Sequence, residues 1–327
     1  MTGVRRSFLC LAGVAVAVSA LPPVASAQTY PARPVRIIVP FAAGGPTDVI
    51  ARMIAHKLSD RWNKQIFVEN IPAGASNVGT AAAAKAPPDG YTLVVVTTGF
   101  VINPSLYAKL SYDPIKDFAP ITLVADSPHV LVVHPSLPVS SVKELVDLVK
   151  ASPGRYTYAS PGTGQSGQLA AELFKRTLGL DLGHVPYNGA APAIMSAIGA
   201  HTPIAFVALP SAAASIKDGT LRALAVTGSK RSAAFPDVPT MAEAGIPDQE
   251  SVFIEGILFP AGTPKAIIDL WYREVARIVT LPGVREGLTA LSFEPVVNTP
   301  EEFGSWIKAQ IPRWADVIRD ANIQRFE

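Results

Sequence analysis

The chain has 327 residues, of which 49% are hydrophobic and 17% charged, with a formal net charge of +2. This length exceeds what one ordinary hydrophobic core accommodates and indicates two lobes. The predicted leader peptide carries two arginines and no acidic residue. Once it is removed, the chain has 26 basic and 26 acidic residues, so its charges balance. The balance argues against nucleic acid or an anionic membrane surface as a partner.

Residues 1–27 have the features of an export signal. The pair Arg5-Arg6 precedes an apolar run, and Ala25-Ser-Ala27 is a small-x-small site of the kind that signal peptidases cut. We predict cleavage after Ala27 and a periplasmic location, with the Sec and twin-arginine routes both open. The only cysteine, Cys10, leaves with this segment, so the mature chain has no thiol nucleophile or thiolate metal ligand.

The mature chain opens with a strand, a glycine turn and a helix. Arg36–Val39 is a short β-branched run typical of a buried parallel strand. Gly44 and Gly45 allow a tight turn, and Pro46 suits the first helical position. The helix would then present unpaired N–H groups and the positive end of its dipole, which together form an anion cradle without a charged side chain. The alternative is an ordinary strand–helix connection.

The elements that follow alternate between strand and helix, a pattern that predicts a parallel α/β sheet. Three polar turns, at 41–48, 72–79 and 97–99, follow predicted strands, and ligands of such sheets bind beyond the carboxyl ends of strands. The apolar runs 121–125 and 130–133 are predicted as separate elements, the first of them a crossover out of the first lobe.

A second series of strands and helices begins at 156–159, turns through 160–167 and enters a helix over 168–178. The C-terminal segment returns to the first lobe and ends in a helix from about Pro300, where Pro312 predicts a kink or a break.

Two enzymatic alternatives arise at the second turn. Gly162-x-Gly164-x-x-Gly167, with Asp181 further on, is close to a dinucleotide-binding fingerprint. However, Asp181 falls at the start of the next strand, whereas a ribose would be held at its carboxyl end. Ser166 nearly matches a hydrolase nucleophile elbow, but Gln168 stands where that motif needs glycine. We favour a second anion cradle at a helix N-terminus, with hydroxyl donors on Ser160, Thr163 and Ser166.

No other pattern indicates catalysis. The five histidines are scattered, and no spacing of His, Asp or Glu suggests a metal site, so we predict no cofactor and no metal. The four tryptophans fall on predicted helices, where core packing explains them. A two-lobed exported chain without catalytic groups indicates a binding protein.

Several segments of the chain resemble the Bug receptors, which are periplasmic solute-binding proteins of tripartite tricarboxylate transporters. The resemblance covers essentially the whole mature chain, and the order and spacing of the matching segments make it highly specific. It is carried by the segments 30–48, 88–93, 103–107, 113–120, 184–187, 221–226, 237–240 and 260–264.

This resemblance implies an α/β fold of the two-lobe periplasmic binding protein type (type II), each lobe a mainly parallel sheet with helices on both faces and two hinge crossings between them. The expected lobe 1 comprises residues 28–126 and 253–327, and lobe 2 residues 127–252. The expected ligand is a small carboxylate captured between the lobes. The expected partners are the membrane components of the transporter, and we expect a monomer. A periplasmic sensor for a signalling partner is the alternative.

The resemblance also implies which residues contact the ligand, largely through backbone N–H groups of the first loop in each lobe. They are, in lobe 1, Phe41, Ala43, Gly44, Thr47, Asp48, Ser76, Asn77, Thr98 and Gly99, and, in lobe 2, Ser160, Thr163, Gly164, Gln165, Ser166, Asn188, Gly189 and Ala190.

Two positions depart from the family's pattern. Gln168 stands where many relatives have histidine, and Val207–Leu209 is apolar where many have a polar or acidic residue. An amine-bearing ligand would need a carboxylate there, so we favour a simple or partly apolar carboxylate over an amino acid. Asp48 is the one acid expected near the cavity, and the alternative is that it stabilises the start of its own helix.

Overall fold

The computed structural model describes residues 30–327, so the predicted signal peptide lies outside the described residues. Lobe 1 begins with three strand–helix units: β1 (Val35–Val39), α1 (Pro46–Trp62), β2 (Ile66–Asn70), α2 (Asn77–Ala84), β3 (Thr92–Val96) and α3 (Gly99–Leu106). Strand β4 (Phe118–Val133) then leads into lobe 2.

Lobe 2 repeats the alternation with shorter elements. It contains α4 (Val142–Ala151), β5 (Thr157–Ser160), α5 (Ser166–Leu178), β6 (Gly183–Pro186), α6 (Ala190–Ile198), β7 (Ile204–Ala208), α7 (Leu209–Lys217) and β8 (Arg222–Val226). The chain returns to lobe 1 through β9 (Val252–Pro260) and ends with α8 (Lys265–Val279), α9 (Pro282–Ala290), β10 (Glu294–Pro295) and α10 (Pro300–Asp320).

One hydrogen-bonded sheet runs through both lobes in the order β2-β1-β3-β9-β4-β7-β5-β6, with β8 and β10 also paired to β4. Pairing is parallel within β2-β1-β3 and within β6-β5-β7, as expected from the alternation. Strands β4 and β9 pair antiparallel to each other and to their other neighbours. Parallel pairing is therefore confined to the outer strands of each lobe.

The long strand β4 connects the lobes without interruption. It pairs with β9 as far as Pro128 opposite Val252, and with β7 from His129 opposite Ala208 onward. The prediction that residues 126–129 separate two elements is wrong, because β9 pairs with residues 126–128 and β7 pairs with His129, so the strand continues. The change of partner lies close to the predicted lobe boundary after Asp126, which stays a prediction.

Helices cover both faces of the sheet in each lobe. Side chains alternate along the strands, so Ile37 and Val39 enter one core of lobe 1, together with α1, α8 and α9, while Ile38 enters the other, with α2, α3 and α10. In lobe 2, Leu131 packs with α4 and α5, and Val130 packs with α6 and α7. Each lobe therefore has two hydrophobic layers around its part of the sheet.

The last helix is continuous through Pro312, so the predicted break is wrong. Thr299 caps α10 in a reciprocal capping box with Glu302. Its apolar face, which includes Phe303 and Trp314, is buried in lobe 1. This burial outweighs the loss of one backbone hydrogen bond at the proline. Within residues 30–327, no helix combines the length and the hydropathy needed to cross a membrane.

Candidate functional site

A cavity of about 290 Å³ lies between the two lobes, at the carboxyl ends of β1, β2, β3 and β5. This is where parallel α/β sheets place their ligands. The lining comes from three loops of lobe 1, the first loop of lobe 2 and the start of β9: Pro40, Phe41, Ala42, Pro72, Ala73, Gly74, Ala75, Ser76, Thr97, Gly99, Ile102, Asn103, Gly164, Gln165, Ser166 and Phe253.

The lining brings together six of the residues that the sequence analysis named: Phe41, Ser76, Gly99, Gly164, Gln165 and Ser166. The other eleven lie outside the lining. Eight of them belong to the loops that line the cavity or to the strand and helix ends beside them: Ala43, Gly44, Thr47, Asp48, Asn77, Thr98, Ser160 and Thr163. The remaining three, Asn188, Gly189 and Ala190, lie at a different connection, between β6 and α6, which does not line the cavity. The role of either group in ligand contact stays a prediction.

No lining residue carries an ionisable side chain. The polar side chains are Ser76, Thr97, Asn103, Gln165 and Ser166, and the remainder of the wall is apolar or backbone. A ligand anion would therefore be bound by hydroxyl, amide and main-chain donors.

A hydrogen bond from Gly44 to the side chain of Asp48 closes the loop between β1 and α1. Gly44 adopts a φ of +86°, and its N–H donates to Asp48 Oδ2 at 2.9 Å. Asp48 also accepts from Arg52 Nε and Asn70 Nδ2, both at 2.9 Å. Burial raises the pKa of Asp48, but these hydrogen bonds outweigh it and hold the pKa below its usual value. Asp48 thus fixes the loop, and the N–H of Gly44 is already bound.

The first loop of lobe 2 repeats this arrangement with a neutral acceptor. Gly164 has a φ of +75°, and its N–H donates to Gln168 Oε1 at 2.6 Å. Gln168 Nε2 lies 3.1 Å from His184 Nδ1, and His184 Nε2 lies 2.7 Å from Ser160 Oγ. Burial lowers the pKa of His184 to about 4, so the ring is neutral at pH 7. Gln168, a departure from the family's pattern, therefore shapes the loop.

Three side chains named in the sequence analysis are bound within the fold. Thr47 Oγ1 donates to Glu255 Oε1 at 2.7 Å. Asn77 Oδ1 accepts from Asn103 Nδ2 at 2.8 Å and from Tyr112 Oη at 3.0 Å. Thr98 Oγ1 donates to the carbonyl of Val252 at 2.9 Å. These residues position the loops that line the cavity.

The start of β9 supports the loops of lobe 1 and was not recognised in the sequence. Thr98 bonds Val252 and accepts from the Ile254 N–H at 3.1 Å, while Thr47 bonds Glu255. Between these contacts, Phe253 lines the cavity. No local motif marks this segment, because its role depends on pairing with strands β3 and β4, more than 100 residues earlier.

Glu255 is fully buried, with one carboxylate oxygen bonded to Thr47 and the other without a partner in the described part of the chain. Burial raises its pKa to about 8, despite the opposing hydrogen bond from Thr47. The side chain is therefore mainly a neutral carboxylic acid at pH 7.

The lobes are in contact beside the cavity. Gly164 faces Leu106 of α3 so closely that a Cβ on the glycine would overlap the leucine side chain. Leu169 of α5 is fully buried in a core cluster formed otherwise by lobe 1. Farther along α5, Arg176 Nη1 forms an ion pair at 2.6 Å with Asp320 Oδ2 at the end of α10. These contacts join the two lobes on one side of the cavity.

Residues 30–327 contain no cluster of three or more His, Cys, Asp or Glu side chains placed to hold a metal ion. Asp181, considered above for a ribose contact, is exposed and precedes β6.

Comparison with known proteins decides the family. Residues 50–323 match the model of the tripartite tricarboxylate transporter family receptor, known as TctC. The chain belongs to this receptor family. BugT of Bordetella pertussis is 35% identical over 314 residues, covering 95% of this chain and 96% of BugT. The resemblance to Bug receptors is confirmed.

Solved structures of TctC receptors and related periplasmic binding proteins share the fold. One described as a periplasmic transporter is 38% identical, with a TM-score of 0.79 over 90% of this chain and 99% of that one. The Rhodopseudomonas palustris protein Rpa4515, solved with adipate, is 33% identical, with a TM-score of 0.80 over 91% of this chain and all of that one. MatC from the same organism, solved with malate, is 30% identical, with a TM-score of 0.74 over 88% of this chain and all of MatC. The two-lobe α/β fold expected for this chain is therefore confirmed.

Proposed function

We propose that this TctC receptor captures a small carboxylate between its lobes in the periplasm and delivers it to a tripartite tricarboxylate transporter. The observation that carries the proposal is the cavity of about 290 Å³, which both lobes line with polar but uncharged groups. Relatives with the same fold were solved with adipate and with malate, which supports a carboxylate of this size.

The binding energy must come from both lobes together. One helix N-terminus stabilises an exposed anion by about 0.3–1 kcal/mol, and by up to about 2 kcal/mol when the site is partly buried. A micromolar dissociation constant needs about 8 kcal/mol. Lobe closure supplies the difference, because it adds the donors of the second loop and excludes water, which strengthens every hydrogen bond.

Mature protein beginning at Gln28 would be screened by thermal shift against adipate, malate, glutamate and nicotinate. Isothermal titration of the hits would then give affinities. We expect a carboxylate to bind and glutamate to bind worst, because no acid lines the cavity to pair with its ammonium group. Failure of every carboxylate to bind would refute the proposal.

Lining residues can be tested against a matched surface position. Gln165→Ala and Ser76→Ala should weaken binding, whereas Ser211→Ala, which removes a hydroxyl from an exposed position on α7, should leave it unchanged. Small-angle scattering should show a smaller radius of gyration on saturation with the bound carboxylate. Identical profiles with and without a tightly bound ligand would refute closure.

Export and delivery need separate measurements. The intact mass of the exported protein should correspond to a chain that starts at Gln28. Uptake of the bound carboxylate by cells should be lost when the gene for this chain is deleted, and restored by the wild-type gene. Unchanged uptake in the deletion strain would contradict the transport role.

A further inference from the structure

A buried histidine lies directly behind the cavity wall. His129, in β4, is fully buried, and its Nε2 is 2.8 Å from Ser166 Oγ. Ser166 begins α5 and lines the cavity. On the opposite side of the ring, Nδ1 lies 3.0 Å from Ser251 Oγ and 3.3 Å from the Ser251 carbonyl oxygen. A chain of hydrogen bonds thus runs from Ser251, the residue before β9, to the cavity.

The ring is neutral at pH 7, because burial lowers the pKa of His129 to about 4. A neutral imidazole has one N–H donor and one acceptor nitrogen, so its two neighbours decide which nitrogen carries the proton.

The hydrogen-bond partners of Ser251 favour the proton on Nε2. The Ser251 carbonyl oxygen already accepts from Thr227 Oγ1 at 2.5 Å and from the His129 N–H at 3.4 Å, so both of its lone pairs have a donor. The Ser251 hydroxyl is buried, and within residues 30–327 its one hydrogen-bond partner is His129 Nδ1. With Nδ1 unprotonated, that hydroxyl donates to it. With Nδ1 protonated, the buried hydroxyl would have no acceptor in the described structure, which native proteins avoid.

It follows that Nε2–H of His129 donates to Ser166 Oγ, and the Ser166 hydroxyl must direct its own proton elsewhere. Among the described residues, Ser166 Oγ has no hydrogen-bond partner other than His129. Its open side faces the cavity. A hydroxyl that accepts a hydrogen bond is also a stronger donor.

We propose that His129 is a positioning residue for ligand binding, whose Nε2–H holds Ser166 Oγ and directs the serine proton into the cavity to donate to a carboxylate oxygen. The inference rests on the proposed carboxylate function. It adds a specificity element, because the site then presents a fixed donor to the ligand at Ser166. All three residues of the network lie in lobe 2, so the network does not depend on closure.

The direction of the hydrogen bonds can be tested without any ligand. Long-range proton–nitrogen correlation spectra of the mature protein labelled with ¹⁵N-histidine distinguish the two tautomers. The His129 signal would be assigned by its absence in His129→Gln. We expect a protonated Nε2 and an unprotonated Nδ1 at pH 7. A protonated Nδ1, or a charged ring, would overturn the proposal.

Binding of adipate, with malate as a second probe, tests the consequence. His129→Leu removes the donor, whereas His129→Gln retains an N–H group near the position of Nε2. Because a hydrogen bond to a charged group contributes strongly to binding free energy, Ser166→Ala and His129→Leu should each weaken binding roughly tenfold. The His129→Gln variant should retain most of the affinity. In the Ser166→Ala background, His129→Leu should have little further effect. Fully additive losses would refute the positioning role.

The results separate the two proposals. A protonated Nε2 in a protein that binds no carboxylate would refute the proposed function and leave the hydrogen-bond direction standing. A protonated Nδ1 in a protein that binds adipate or malate would refute the role of His129 and leave the proposed function standing. Should His129→Leu fail to fold, the spectra and the His129→Gln variant still decide the question.

Discussion

The buried carboxyl of Glu255 should make the stability of lobe 1 depend on pH. Its pKa is raised to about 8 in the folded protein, from an ordinary value of 4.5. Below pH 4.5 the group is protonated in both states and costs nothing. Between pH 4.5 and about 8 the unfolded state has lost the proton while the folded state keeps it, so the free energy of unfolding falls as pH rises, by about 1.4 kcal/mol per pH unit.

The Glu255→Gln variant has no titrating group at this position. The difference in the free energy of unfolding between the wild type and this variant should therefore change with pH. Between pH 4.5 and about 8, the free energy of unfolding of the wild type should fall by about 5 kcal/mol in total. Solvent does not screen this effect, because the side chain is fully buried. Glutamine can still accept from Thr47, but its buried amide has two N–H groups without a partner where the neutral carboxyl has one O–H, a pH-independent cost of about 1–3 kcal/mol. The variant should therefore be the less stable protein at pH 5 and the more stable one at pH 8.

Urea denaturation of the ligand-free mature protein at pH 5, 6, 7 and 8 measures this difference. Tryptophan fluorescence is a suitable probe, because Trp62, Trp271, Trp306 and Trp314 all lie in lobe 1. Glu286→Gln, an exposed position on α9, is the control for loss of the same charge. A difference between wild type and Glu255→Gln that stays constant with pH would refute the reasoning.

Three further predictions concern the two glycine loops and the last helix. Gly164→Ala should weaken carboxylate binding more than Gly44→Ala, because both glycines have positive φ but only the first faces a neighbour, Leu106; adding Leu106→Ala should recover affinity in titration calorimetry. Asp48→Asn, which replaces a buried acceptor of three hydrogen bonds, should lower the free energy of unfolding by about 1–3 kcal/mol, and an unchanged urea midpoint would contradict this. Thr299→Ala removes the cap of α10 and should cost about 1 kcal/mol in the same assay, with Ser305→Ala on that helix as the comparison.

Local sequence patterns predicted most of the strands and helices and the turns around the cavity, because their signals are short-range, but α9 and β10 had no predicted counterpart. The alternation of Ile37, Ile38 and Val39 between two cores requires helices on both faces of the sheet, and Gly44 and Pro46 mark the start of α1 without any tertiary information. The same reasoning led to the correct turn at Gly164 in lobe 2.

The support behind the cavity could not be predicted in this way. His129 and Ser251 are 122 residues apart, and Thr47 and Glu255 are 208 residues apart, so each contact exists only because β9 returns to the middle of the sheet. In the sequence, Glu255 and His129 looked like isolated polar residues. The break predicted at Pro312 failed for a related reason, since the packing of α10 against lobe 1 outweighs the local cost of the proline.

In both lobes, a glycine N–H is bound by a side chain four residues ahead, Asp48 at the start of α1 and Gln168 at the start of α5. This hydrogen bond braces each loop before a solute arrives and reduces the conformational entropy that is lost on capture. Gln165, which lies between glycine and acceptor in the second loop and lines the cavity, takes no part in this bracing through its side chain. Substitutions at Gln165 could therefore change which acid is accepted while the loop keeps its shape.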